Sequence, residues 1–167
     1  LPHGHVAAIE GVMRALGMER LIASVDCTER RLVLAMIGAR IGPPESKLAT
    51  RRELREETAS STLVQSWGVE AEGLDEQALY KAMDWLVARQ DKIEARLAKR
   101  HLQQGCLVLY DVTSSYFEGR CCPLANRGHC RDGKKNKLQI VIGLMCEPEG
   151  RPVAVEVFEG NPGDPST

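Results

Sequence analysis

Aromatic residues are scarce in this chain: two Trp, three Tyr and two Phe make up 4% of 167 residues. So few ring faces argue against a stacking platform for single-stranded nucleic acid. A surplus of either charge is missing too. Twenty-two Lys and Arg stand against 23 Asp and Glu, a formal net charge of -1. Whole-molecule electrostatics therefore makes no case for a polyanionic partner, and any such case must rest on local patches. No stretch approaches the roughly 20 apolar residues that a membrane span needs. The opening Leu1-Pro2-His3-Gly4-His5 lacks the basic region and apolar core of a signal peptide. A cytoplasmic protein without a membrane partner is the expectation. The first residue is Leu and not Met, so Leu1 is not expected to be a native start.

A regular cysteine framework is also absent. Six cysteines sit at positions 27, 106, 121, 122, 130 and 146, an irregular spacing that favours reduced thiols. Cys121, Cys122, His129 and Cys130 raise the question of zinc. Adjacent cysteines, however, replace the two- to four-residue separation that lets two thiolates reach one ion. No structural zinc is expected.

What is there falls into two parts, an α+β pattern. Residues 1–104 read as a helical N-terminal region, and residues 105–167 as strand-rich. Val6, Ile9, Met13 and Leu16 recur at helical spacing, and Gly17 can end that helix. A second helix starts near Asp26 or Thr28, carries Leu32, Val33, Met36 and Ile37, and stops by Gly42-Pro43-Pro44. Ser46 can cap a charged third helix reaching Glu57, and a short one holds Leu63, Val64 and Trp67. The pattern then predicts one helix from Asp75 to about residue 104. Its seam is Leu79, Met83, Leu86, Ile93 and Leu97, with Gln90 interrupting. A helix packed on its own domain is favoured over a dimerising coiled coil, because the seam is under four heptads long. Lys99, Arg100 and His101 suit the negative end of its dipole.

Strands are predicted at about 106–112, 138–146 and 152–159. The turn signal Glu149-Gly150 makes the last two antiparallel neighbours. The connection over 116–136 is rich in Gly, Cys, Arg and Lys and longer than ordinary hairpin loops, which points to a functional segment. At the end of the apolar run Cys106-Leu107-Val108-Leu109-Tyr110 stands Asp111. A carboxylate delivered by a strand can serve as a metal ligand on a rigid element. The plainer role is a bond to backbone amides at Val112-Thr113. Thr113 either orients Asp111 or satisfies its own backbone. Arg127, Arg131, Lys134, Lys135 and Lys137 form a basic run opposed mainly by Asp132. It reads either as a phosphate-contacting loop or as a solvated surface. Arg51, Arg52 and Arg55 are neutralised by Glu53, Glu56 and Glu57.

Several blocks taken in order carry a resemblance. They are Pro44-Glu45-Ser46-Lys47-Leu48; Leu79-Tyr80-Lys81-Ala82-Met83-Asp84-Trp85-Leu86; Leu109-Tyr110-Asp111-Val112-Thr113 with Tyr116-Phe117-Glu118-Gly119; Gly128-His129-Cys130-Arg131-Asp132-Gly133; Gln139 to Leu144; and Phe158-Glu159-Gly160-Asn161 with Asp164 and Thr167. Together they resemble an insertion-sequence transposase of the DDE class. The resemblance implies a helical N-terminal region over 1–104, followed over 105–167 by the first three strands of an RNase H-like mixed sheet. It implies cutting and joining of double-stranded DNA at element ends by two-metal chemistry with Mg2+ or Mn2+. It makes Asp111 the first catalytic carboxylate and metal ligand, and Arg127, Arg131, Lys134, Lys135 and Lys137 DNA contacts. Homo-oligomerisation of a full-length enzyme is in keeping with it. The family's second Asp and its Glu lie beyond Thr167, and Asp164 belongs to the glycine-asparagine block. The expectation is therefore a fragment that holds no metal tightly and is inactive alone. A non-catalytic DNA-binding or interaction module is the alternative, and a metal-dependent nuclease on the same fold a third reading.

Overall fold

The computed structural model describes residues 1–42, 50, 52, 54, 61–70, 74–105, 107–119, 121–128 and 137–161. It divides into two compact units, Leu1–Ile93 and Glu94–Thr167. The architecture is α+β: helices first, then an antiparallel sheet of four strands.

The first unit holds α1 (Gly4–Ala15), α2 (Met18–Ile22), α3 (Thr28–Ile41), α4 (Leu63–Trp67) and α5 (Glu76–Val87). Gly17 joins α1 to α2 with φ 67, a left-handed conformation that favours glycine. Four consecutive residues of α3, Leu32 to Ala35, are buried, so this helix is enclosed on several sides. Its core partners are Val6 and Met13 of α1, Leu63, Val64 and Trp67 of α4, and Leu79 and Ala82 of α5. At Gly38 an added Cβ would come 3.0 Å from Leu63 Cδ1, which explains the glycine where α3 meets α4. Asp75 caps α5 as the sequence suggests, its carboxylate accepting the Ala78 amide at 2.8 Å. The charged helix expected over 46–57 lies outside the described residues but for isolated positions.

The long helix expected from Asp75 is two helices. α5 ends at Val87, and α6 runs Gln90–His101. Arg89 marks the break. Its guanidinium lies 3.7 Å over the Trp85 ring and donates to the Trp85 carbonyl at 2.9 Å. A cation held over a ring and on a terminal carbonyl closes a helix end. The periodicity across Gln90 was therefore not one seam.

In the second unit β1 is Leu109–Tyr116, β2 Asn126–Arg127, β3 Leu138–Cys146 and β4 Pro152–Glu159. β3 pairs antiparallel with β1 on one side and with β4 and β2 on the other. The last two predicted strands and their antiparallel pairing agree with the structure. The first is displaced: it covers 109–116 and not 106–112. Thr113, Ser114 and Ser115 look like a turn in isolation, yet all three pair with β3. Pairing with β3 outweighs the turn tendency of the two serines, and Thr113 is itself suited to a strand. The expected irregular connection over 116–136 contains the short strand β2, and 120 and 129–136 lie outside the described residues.

The β3–β4 turn follows its residues. Glu147 carbonyl accepts from Gly150 N–H at 2.8 Å, and Glu147 N–H donates to Arg151 carbonyl at 3.0 Å. Pro148 opens the turn, and Gly150, with φ 86, closes it. This is a three-residue hairpin loop with a left-handed final residue. The Glu147 side chain is buried and accepts the Arg151 amide at 3.0 Å. The Arg151 amide, then the Glu149 amide and the charges of Arg151 and His101, hold its carboxyl below the usual range against the cost of burial. A depressed carboxyl stabilises the fold above its unfolded pKa, and that contribution disappears as pH falls through the folded pKa. Glu147→Gln should therefore flatten the acid limb of a stability-versus-pH curve. An unchanged acid limb in urea titrations would show that the turn does not depend on this carboxylate.

At the other end of the sheet two backbones touch. Gln139 is buried, and its side-chain amide donates to Gly160 carbonyl at 2.7 Å. Gly160 N–H donates to Leu124 carbonyl at 2.9 Å. A Cβ on Gly160 would overlap the carbonyls of Gln139 and Asn126, and one on Gly128 would overlap Gly160 carbonyl and the Gln139 amide. Both positions are confined to glycine by space and not by φ.

Candidate functional site

Asp111 is the third of eight residues in β1 and pairs with Leu144. It stands inside the strand, not at its end as the apolar run suggested. Alternation along the strands defines its face. Leu109, Asp111, Thr113 and Ser115 share it with Cys146, Leu144, Ile142 and Ile140 of β3, and with Val155, Val157 and Glu159 of β4. The opposite face carries Tyr110, Val112, Met145, Gly143, Val141, Ala154, Glu156 and Phe158. Tyr110 and Phe158 close over Gly143, where a Cβ would meet both rings.

Asp111 is exposed, and its direct cross-strand neighbours are the apolar Leu144 and then Val155. Thr113, the proposed orienting hydroxyl, is on the same face two residues along. Glu156 is on the other face, so it cannot share an ion with Asp111. Glu159 shares the face but stands two strands across and four residues along, about 16 Å away at ordinary strand spacings. Among the described residues no group of three acidic, His or Cys side chains is placed to hold a metal ion. Asp164 lies outside the described residues.

Of the basic run, Arg127 and Lys137 are described; Arg131, Lys134 and Lys135 lie outside the described residues. Arg127 pairs with Leu138 in the sheet, and its amide donates to Asn126 Oδ1 at 2.9 Å. Lys137 lies 3.8 Å from Glu118, with both side chains exposed, a pair of little energetic weight. These two cations mark the Leu138 end of β3, whereas Asp111 is in register with Leu144. Six residues separate those levels, about 20 Å along the strand. The described part of the run is thus not beside Asp111.

Cys27, Cys121, Cys122 and Cys146 are free thiols. His129 and Cys130 lie outside the described residues.

One contact had no warning in the sequence. Glu94 of α6 accepts the Val155 backbone amide at 3.1 Å. Val155 is in the same cross-strand row as Leu144 and Asp111. A helix carboxylate thus occupies the outer edge of β4 at the level of Asp111. A glutamate at a half-buried helix position is the only signal available beforehand, and it is not a specific one.

Compared with known proteins, the chain matches no family model, and no curated protein or solved structure is significantly similar to it.

Proposed function

We propose that these 167 residues are part of a DDE-class insertion-sequence transposase. In this reading residues 1–104 form its helical N-terminal region. Residues 105–167 begin the RNase H-like domain that cuts and joins DNA at element ends. The observation that carries the reading is the setting of Asp111: the one carboxylate on its strand, on the face it shares with Leu109, Thr113 and Ser115 and opposite the apolar Leu144 and Val155. Both faces of the sheet bear half-exposed apolar side chains, among them Leu109, Tyr110, Val112, Met145, Val155 and Val157. Strands apolar on both faces are suited to a sheet covered on both sides. A carboxylate on a covered face must be paired or bind a cation, since an isolated buried charge is too costly. Further support comes from two motif blocks far apart in sequence. Gly128 and Gly160 meet backbone to backbone through Gln139.

The hard oxygen donors of Asp111 and Thr113 suit Mg2+ or Mn2+. When bound, a pair of such ions activates the attacking oxygen and stabilises the leaving one. A single carboxylate does not hold two ions, so Asp111 alone supplies an anchor for one. Its part is to fix a negative charge on a rigid strand. The remaining acids of the reading come from outside residues 1–167. The coding sequence downstream of Thr167 tests this: an Asp and a Glu on later elements are expected, and their absence would overturn the proposal.

The basic run has its own test. If it contacts phosphates, duplex affinity should fall with salt at a slope of about -0.9 per neutralised phosphate. Lys134→Ala with Lys135→Ala should flatten that slope for any sequence. An unchanged slope would make the run a solvated surface.

A further inference from the structure

We infer that the outer edge of β1 pairs with the same edge of a second copy of this chain, so that two four-stranded sheets become one. Phe117 N–H donates to Leu138 carbonyl at 2.8 Å. In an antiparallel ladder, residues that direct both backbone groups to one neighbour alternate with residues that direct them away. The register therefore makes Leu109, Asp111, Thr113 and Ser115 the residues bonded to β3. Tyr110, Val112, Ser114 and Tyr116 turn their N–H and C=O groups to the other side. Among the described residues β1 pairs with β3 alone, and every residue from Leu109 to Ser115 is exposed. An edge of this kind is a template for another strand. The usual guards are missing: β1 holds no Pro, Lys or Arg, and its pairing with β3 is unbroken by a bulge.

Self-complementarity selects the occupant. Two copies of one strand related by a two-fold axis pair antiparallel, and each contact is made twice. Hydrogen bonds form only where outward residues meet outward residues. Near the middle of β1 three registers satisfy this, centred on Asp111, Val112 and Thr113. The first puts Asp111 opposite Asp111, and like charges directly opposite are unfavourable. The third calls on Tyr116, which already has another interaction. The second places Val112 opposite Val112, Tyr110 opposite Ser114, and Asp111 opposite Thr113. There the Thr113 hydroxyl can donate to the carboxylate, and Val112, exposed in the single chain, gains an apolar neighbour. No like charges meet, because Asp111 is the one charged residue of β1. This pairing needs neither metal nor DNA and does not rest on the transposase reading.

The test is the oligomeric state of the 167-residue chain, measured by sedimentation equilibrium across micromolar concentrations. The parent should be a dimer. Val112→Pro removes one outward N–H from each copy and none that β3 uses, and proline is tolerated at such edge positions. Loss of the two interchain bonds should raise the dimer dissociation constant about thirtyfold. Val112→Lys brings two like charges together on the two-fold axis and should also favour the monomer. Amide exchange in β3 checks that the sheet is intact in both variants. Register is read by cross-linking under mild oxidation, with the parent and its own thiols as background. Val112→Cys should link two copies, its Cα atoms lying about 5.5 Å apart. Tyr110→Cys should not, because position 110 is about 14 Å from its own counterpart. A monomeric parent would overturn the inference, as would a dimer that persists in both edge variants with the sheet intact. Absence of the Val112→Cys cross-link would overturn it even where an edge variant failed to fold. Each of these results leaves the transposase reading to be judged by the downstream Asp and Glu.

Discussion

Gly160→Val should unfold the sheet of Glu94–Thr167. The carbonyls of Gln139 and Asn126 occupy the space that a side chain at 160 would enter. These are backbone atoms in a paired sheet, so neither can turn aside. Displacing residue 160 would also orphan the buried Gln139 amide, which now donates to it. Overpacking costs about 1–3 kcal/mol and an unsatisfied buried amide about 1–3 kcal/mol more. A loss on the order of 4 kcal/mol is a large part of any domain's stability. Gly128→Val should behave alike, because its Cβ would strike Gly160 carbonyl. Gly150→Ala is the control. That residue has open space around it and only the strain of φ 86, worth about 1 kcal/mol. Both tryptophans, Trp67 and Trp85, belong to Leu1–Ile93. Tryptophan fluorescence thus follows one unit, and amide exchange in β3 the other. Unfolding transitions of Gly160→Val that match the parent by both probes would refute the close contact.

Asp111→Asn should abolish DNA cutting in a protein that supplies the remaining acids of the proposed site, and should leave duplex binding intact. The change preserves size and removes the charge that would anchor a divalent ion. The residue is exposed, so its effect on stability should stay within about 0.5 kcal/mol. Loss of a negative charge cannot weaken attraction to phosphate, and affinity for duplex should hold or rise slightly. The 167-residue chain, with or without the substitution, should neither nick nor join DNA. The reason is geometric: Glu156 is on the opposite face of the sheet and Glu159 about 16 Å distant. Metal-dependent nicking by this chain that disappears in Asp111→Asn would mean that the site is complete within it.

Local rules carried much of the fold. Asp75 caps its helix, Gly17 separates two helices, and Pro148 to Gly150 make the turn that sets β3 against β4. Each feature depends on residues within a few positions of one another. Features that depend on distant residues were not legible. Continuous periodicity concealed the break at Arg89, which is made by one cation on one indole ring. Thr113 to Ser115 joined a strand because β3 lay beside them. The close approach of Gly128 and Gly160 involves segments more than 30 residues apart. For the candidate site, the sequence singled out Asp111 and missed its setting. Only the register showed which acids share its face, and that Arg127 and Lys137 stand at the other end of the strand.

The contact of Glu94 with β4 gives the sheet a direction of growth. An incoming strand needs free amides along an edge. On β4, Glu94 already holds the Val155 amide. Among the described residues β1 has a partner on one side alone, β3. Extension is thereby steered to the β1 edge. A strand added there would lie about 4.8 Å from Asp111. In the proposed transposase reading, residues of such a strand would be placed to join Asp111 in holding an ion.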